Sequence, residues 1–234
     1  MQYLYAIVDR LPRRWRRPPI GIAGAPVVPR RLEEVVLLSS PLDAVPAANA
    51  RTLALHHEVV ASVADASATL PFGYGVAVPT EEVEAWLAGH RASVTAALGA
   101  VRGCVEMTVK LLPLEPAIAP QLATPPAGRA PVEPGERELQ ALAEALAERA
   151  GLPRWRFRPI GSAGNVGAAV AFLVPRSDLA GFLARIAPVA SHAAAVAVVP
   201  TGPWAPYSFV PELDRAPLSR VSEGVSGAFG RRAG

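Results

Sequence analysis

From Val105 to Val199 the hydrophobic period switches repeatedly between two and about three and a half, and the order of switches leaves few folds open. Val105, Met107, Val109 and Leu111 alternate with Glu106, Thr108 and Lys110, the pattern of a strand. Leu139, Leu142, Ala143, Leu146, Ala147 and Ala150 then recur at helical spacing from 136 to 150. Gly151 ends that stripe and Pro153 prevents its resumption. Arg154 to Arg158 alternates again, with Trp155 and Phe157 on one side, and a Gly/Ser/Asn turn over 161–167 leads to a strand over 168–174. Ser177 is placed to cap a helix whose stripe is Leu179, Phe182, Leu183, Ile186 and Ala187, and 193–199 reads as a last strand. The order is therefore β-α-β-β-α-β. Two split βαβ units on one antiparallel sheet with two helices give this order, the ferredoxin-like arrangement.

The chain before Val101 is organised differently. Residues 2–8 are apolar on both alternating faces, as in a strand covered on both sides. A basic loop, RLPRRWRRPP over 10–19, follows. Residues 35–39 read as a second strand, 41–49 as a loop, and 52–65 as a helix with Leu55, Val59 and Val63 inward. LPFGYGV over 70–76 is an irregular strand or bend. Thr80 is a good N-cap, with Glu81 and Glu82 at the positive end of a helix that buries Val83, Trp86, Leu87, Val94 and Leu98. The expected fold class is α+β in two domains. An N-terminal α+β domain spans 1–101. A ferredoxin-like domain spans 102–211, with a proline-rich connection over 113–134 and an aromatic segment over 201–210. A loose tail covers 212–234.

Composition narrows the function classes. Apolar residues make up 51% of the 234, enough for a core, while charged residues make up only 18%. Lys110 is the only lysine, so nearly all positive charge is arginine, and the net charge of +3 is too small to imply nucleic-acid binding. A lone cysteine, Cys104, suits a reducing compartment. The N-terminus lacks the basic and apolar regions of a secretory signal, and no run is long enough to span a bilayer. These features lead to the expectation of a cytoplasmic protein with no membrane partner.

No residue set points to catalysis or to a cofactor. His56 and His57 sit about 100° apart around a helix, and no histidine stands four residues on to complete a metal pair. Cys104 has no second cysteine at ligand spacing. The glycines at 161 and 164 bracket a serine in the wrong order for a nucleophile elbow, and Gly73-Tyr74-Gly75 lacks the third glycine of a dinucleotide loop. The expectation is no enzyme and no cofactor. An RNA-binding sheet would carry stacking aromatics on its open face. Here that face reads Glu106, Thr108, Lys110, Arg154, Arg156 and Arg158, which argues against nucleic acid. The alternative function is an RNA- or nucleotide-binding regulatory module working through the Arg-rich loop.

The segment Thr201 to Val210 packs three aromatics around two prolines. Pro203 and Pro206 each fix their own φ and bias the preceding residue toward extended geometry. Trp204, Tyr207 and Phe209 are thereby presented on a stiff backbone. They are candidates for a partner contact, or for a cover over a sheet end or domain joint, together with Pro203 and with Phe72 and Tyr74 of the 70–75 bend.

Several segments carry a family resemblance: the YLYAIV strand, His56-His57-Glu58-Val59-Val60, LPFGYG with its Glu-led helix, VEMTVKL, AFLV and GPWAPYSFV. Together they are similar to the gas vesicle accessory proteins GvpF and GvpL over nearly the whole chain. Two positions depart from the family pattern: Leu70-Pro71 runs straight into Phe72-Gly73 without an intervening arginine, and Ala205 stands where proline is usual. The resemblance implies a two-domain protein, the second domain ferredoxin-like, that takes part in vesicle assembly. It implies as partners the main shell protein GvpA and other accessory proteins, and localisation at the gas vesicle.

Overall fold

A computed structural model describes residues 1–13, 15–114, 135–153, 157–159, 166–193 and 195–211. It divides the chain into two compact units. One is Met1–Cys104 together with the stretch that starts at Trp204; the other is Val105–Pro203.

The first unit is built around β1 (Gln2–Val8), every residue of which is buried. A strand with no polar face must have neighbours on both edges and layers on both sides. β1 has them. It pairs antiparallel with β3 (Val35–Pro41) on one edge and with the short β4 (Thr69–Pro71) and β5 (Ala77–Val78) on the other. β2 (Val28–Leu32) adds to β3 and completes the five-stranded sheet. The sequence pattern does not announce β2, because Pro29 and two arginines spoil the alternation. Proline is tolerated there because β2 is an edge strand. Register between β1 and β3 shifts between Leu4 and Ala6, a bulge in an otherwise regular pairing.

α1 (Ala50–Ala61) starts at a capping box. The amide of Thr52 donates to the Asn49 side chain and the amide of Asn49 donates to Thr52 Oγ1, both at 3.0 Å. α2 (Val83–Val101) buries Val83, Trp86, Leu87, Val94, Leu98 and Val101. Thr80 does not cap it. Thr80–Glu82 form a 3₁₀ turn with no side-chain cap bond, and α2 begins after that turn. Tyr3, Tyr5, Val36, Leu38, Val59, Val60 and Val63 form the centre of this unit's core.

Gly21 shows how tightly that core is closed. A Cβ there would stand 2.7 Å from Ser40 Oγ and 2.9 Å from the Ala25 carbonyl, and would collide with the Tyr5 hydroxyl. The backbone must pass that close because the Ile22 amide donates to Tyr5 Oη at 2.9 Å.

The second unit follows the order β6 (Cys104–Pro113), α3 (Glu136–Arg149), β7 (Phe157–Pro159), β8 (Ala168–Pro175), α4 (Leu179–His192), β9 (Val196–Trp204). Its four strands lie in the order β7-β8-β6-β9, with β7 antiparallel to β8. Met107, Val109, Leu111, Val170, Phe172 and Val174 pack with Leu139, Leu146, Phe182, Ile186 and Val189 from the helices. Each buried leucine of α3 contributes about 1.5–3 kcal/mol. Gly151 closes α3 with φ +64°, and Arg185 Nε donates at 2.9 Å to the Ala150 carbonyl at the helix end.

Three expectations for this unit are corrected. Glu106 and Thr108 do not lie on an open face; they are 5% and 7% exposed, and Thr108 Oγ1 donates to Glu106 at 3.4 Å. The buried stripe of α4 runs through Phe182, Ile186 and Val189, while Leu183 and Ala187 face outward. Ser177 lies in a 3₁₀ turn, Arg176–Asp178, ahead of α4 and not at its cap. The expected features at 154–156, 161–165, 212–234 and most of 113–134 lie outside the described residues. Among the described residues no helix is long and apolar enough to cross a membrane.

Candidate functional site

The first unit gathers rings from four distant parts of the sequence. β1 sends Tyr3 and Tyr5 to the same face because they are two residues apart. α1 lays His56 against both, with centroids 5.8 and 5.6 Å away. Tyr74, between β4 and β5, stands 5.9 Å from Tyr3 and 6.0 Å from His56. Tyr207, in the 3₁₀ turn Tyr207–Phe209, stands edge-on to His57 at 5.4 Å. These rings sit at the spacing and tilt that aromatic quadrupoles favour.

Hydrogen bonds fix the chemistry of this cluster. His56 Nε2 lies 3.0 Å from the Phe72 carbonyl, which can only accept, so Nε2 carries the proton. Nδ1 is then the acceptor, and the Tyr3 hydroxyl donates to it at 2.8 Å. Tyr3 Oη in turn accepts from the Gly75 amide at 3.3 Å. Tyr5 donates to Ser40 Oγ at 3.1 Å, and Ser40 donates to the Pro26 carbonyl at 2.9 Å. Tyr74 donates to the Pro46 carbonyl at 2.8 Å.

Burial governs the titration. It pushes His56 down to about 4, helped by the nearby His57 and opposed by the Phe72 carbonyl. It pushes both Tyr3 and Tyr5 up. A neutral histidine and two neutral phenols, all at most 1% exposed, hold fixed protonation states across the neutral range. Such groups are poorly matched to proton transfer at pH 7, which needs a pKa near 7 and a reachable proton. They are well matched to holding the bend at Phe72–Gly75 against β1 and α1.

The six candidate contact residues, four in the aromatic segment and two in the 70–75 bend, divide clearly. Phe72 is buried, its ring 5.9 Å from Trp86, and Tyr74 is half-buried in the ring cluster. Tyr207 faces α1, where its hydroxyl is 3.0 Å from His57 Nδ1. Phe209 is buried at 8% exposure. Pro203 is exposed and follows a cis peptide bond. Trp204 is 54% exposed. Thus Tyr207 and Phe209 secure the segment, and Trp204 is the ring it presents.

Asp9, just beyond β1, forms a second polar junction. It accepts from the Ala68 amide at 3.1 Å, from Arg102 Nη1 at 2.9 Å and from the Ser67 hydroxyl. Burial would raise its carboxyl, but the hydrogen bonds from Ser67, Ala68 and Arg102 carry it below the usual carboxylate value. An open groove of about 350 Å³ lies between the β2–β3 turn and α2, crossed by the Glu33–Arg91 ion pair at 2.8 Å. Among the described residues no three His, Cys, Asp or Glu side chains are placed to hold a metal ion. Cys104 is buried, its Sγ 3.5 Å from the Arg102 carbonyl.

The convergence itself had no local signal. Tyr3, His56, Tyr74 and Tyr207 each lie in one of the segments that carry the family resemblance, and those segments meet in one place. The sequence showed them only as separate motifs.

Comparison with known proteins agrees. The family model described as gas vesicle synthesis protein GvpL/GvpF matches residues 1–150 and 129–211. The crystal structure of the gas vesicle protein GvpF from Anabaena sp. PCC7120 is similar at a TM-score of 0.67 and 17% identity, over 90% of this chain and 95% of that one. GvpF from Microcystis aeruginosa is similar at a TM-score of 0.66 and 16% identity, over 90% and 98%. No curated protein sequence matches the chain.

Proposed function

The chain belongs to the gas vesicle synthesis protein GvpL/GvpF family, and on that premise we propose that it is a non-enzymatic accessory factor that assists assembly of the vesicle shell by contacting the main shell protein, GvpA. The observation that carries this reading is the mounting of Trp204. Its ring is 54% exposed, while a few residues on Tyr207 packs on the first unit's core and bonds His57, and Phe209 is buried. A large apolar ring on a stiff, pre-ordered backbone costs little entropy to dock, which is the character of an interface anchor. Shell proteins that polymerise through strands and apolar faces need partners that hold them before they assemble.

The proposal extends to the domains and to the place where the protein works. The second unit is a ferredoxin-like domain; the strand order β7-β8-β6-β9 with helices after β6 and β8 supports it. The domain boundary falls near Val101, between 1–101 and 102–211. The protein works in the cytoplasm and at the vesicle.

Co-purification tests the proposal. Tagged full-length chain expressed with GvpA should retain it, and Trp204→Ala should lower retention by about thirtyfold or more, the effect of losing a tryptophan hot spot. Equal retention by wild type and Trp204→Ala would remove Trp204 from the contact. Failure of the wild type to retain GvpA would end the reading.

A further inference from the structure

The first unit carries opposite charge at the two ends of β1. At its Val8 end the sheet register places Val36 and Thr69 beside Val8, and the chain leaves directly into the basic loop. Arg10, Arg13, Arg16 and Arg17 of that loop are exposed, and none makes an ion pair with a described residue. The described residues of the loop are anchored to the unit. Trp15 Nε1 donates to Ser62 Oγ at 2.9 Å, its amide closes a turn on the Pro12 carbonyl at 2.9 Å, and Leu11 and Trp15 pack on the core. Local acids do not cancel it: Glu33 is held by Arg91 and Asp9 by Arg102, while Arg30 and Arg31 on β2 match Glu34 and Asp65 in number.

At the Gln2 end, Gln2 pairs with Pro41 and with Val78. Asp43, just after Pro41, and Glu81 and Glu82, just after Val78, therefore leave the sheet there, all exposed and with no ion pair among the described residues. The Met1 ammonium at this end donates to the Leu42 carbonyl. Seven strand residues separate the two ends by roughly 20 Å.

We propose that this basic loop docks on the acidic end of a second copy of the chain, joining first units head to tail. The two surfaces are complementary in sign and differ from one another, so the contact is heterologous and propagates from copy to copy. Nucleic acid fits the loop less well. Its one tryptophan spends its ring on the core and its N–H on Ser62, leaving no platform for a base. The association is electrostatic, and therefore salt-sensitive.

Sedimentation equilibrium on the full chain tests this. In about 50 mM salt the average mass should rise with protein concentration, and in about 500 mM it should fall to that of the monomer. The variant Arg13→Glu/Arg16→Glu/Arg17→Glu should be monomeric alone, and so should Asp43→Lys/Glu81→Lys/Glu82→Lys. An equal mixture of the two should associate again, which no misfolded pair would do. A wild type that stays monomeric in low salt overturns the proposal. So does association that survives either variant, or a mixture that fails to re-associate. A monomeric wild type that binds an RNA oligomer through the loop overturns it too, and assigns the loop to nucleic acid.

Discussion

His56 shows how much a single position depends on its surroundings. Its neutral Nε2–H form is fixed by the Phe72 carbonyl and by Tyr3, and burial lowers its pKa from 6.5 to about 4. Between those values the unfolded chain takes up a proton that the folded chain refuses. Stability is therefore full above pH 6.5 and falls as the pH drops toward 4, by on the order of 3 kcal/mol. The urea midpoint of the wild type should decline over that window, and His56→Gln, though less stable, should decline less. Parallel curves for the two proteins would show that another group is responsible. Asp9 acts in the same direction at lower pH: its depressed carboxyl stabilises above the ordinary Asp value and stops doing so as it protonates. The sequence revealed that two adjacent histidines on a helix must face different ways. It could not reveal that the buried one meets Tyr3, because the partners are 53 residues apart and nothing local marks the pairing.

Among the elements, those fixed by short-range chemistry were the most legible. α3 and the alternating β6 follow from period, and β1 from an unbroken apolar run. α1 depends on a reciprocal cap, so Asn49→Ala should cost about 1 kcal/mol, read as a lower urea midpoint with an unchanged slope. In a Thr52→Ala background the same change should cost less, because the box is already half open. The two missed caps share one cause. Pro79, just after β5, and Pro175, the last residue of β8, are both extended, and each is followed by a 3₁₀ turn that delays the helix by three residues. A sequence rule that seeks a polar residue before the first apolar one places both caps too early. β2 was missed for the opposite reason, since the residues suited to an unprotected sheet edge are those that hide a strand from its pattern.

For the molecule as a whole, the stretch from the end of β9 to Phe209 separates two roles that a run of aromatics conceals. Phe209 is buried and Trp204 is exposed. Phe209→Ala should therefore lower the melting temperature, at a cost of about 3–5 kcal/mol. Trp204→Ala should leave melting nearly unchanged, within about 0.5 kcal/mol. Equal effects from the two would contradict this division. Stiffness of the segment was readable from Pro203 and Pro206; which ring faces solvent was not, because that depends on where α1 lies. The placement of Tyr207 and Phe209 also bears on biosynthesis. A ribosome delivers the amino-terminal unit first, yet the pieces that cover its His57 side emerge only after the intervening unit has been made. The nascent first unit must wait, with that flank uncovered, until the whole of the intervening unit has been read.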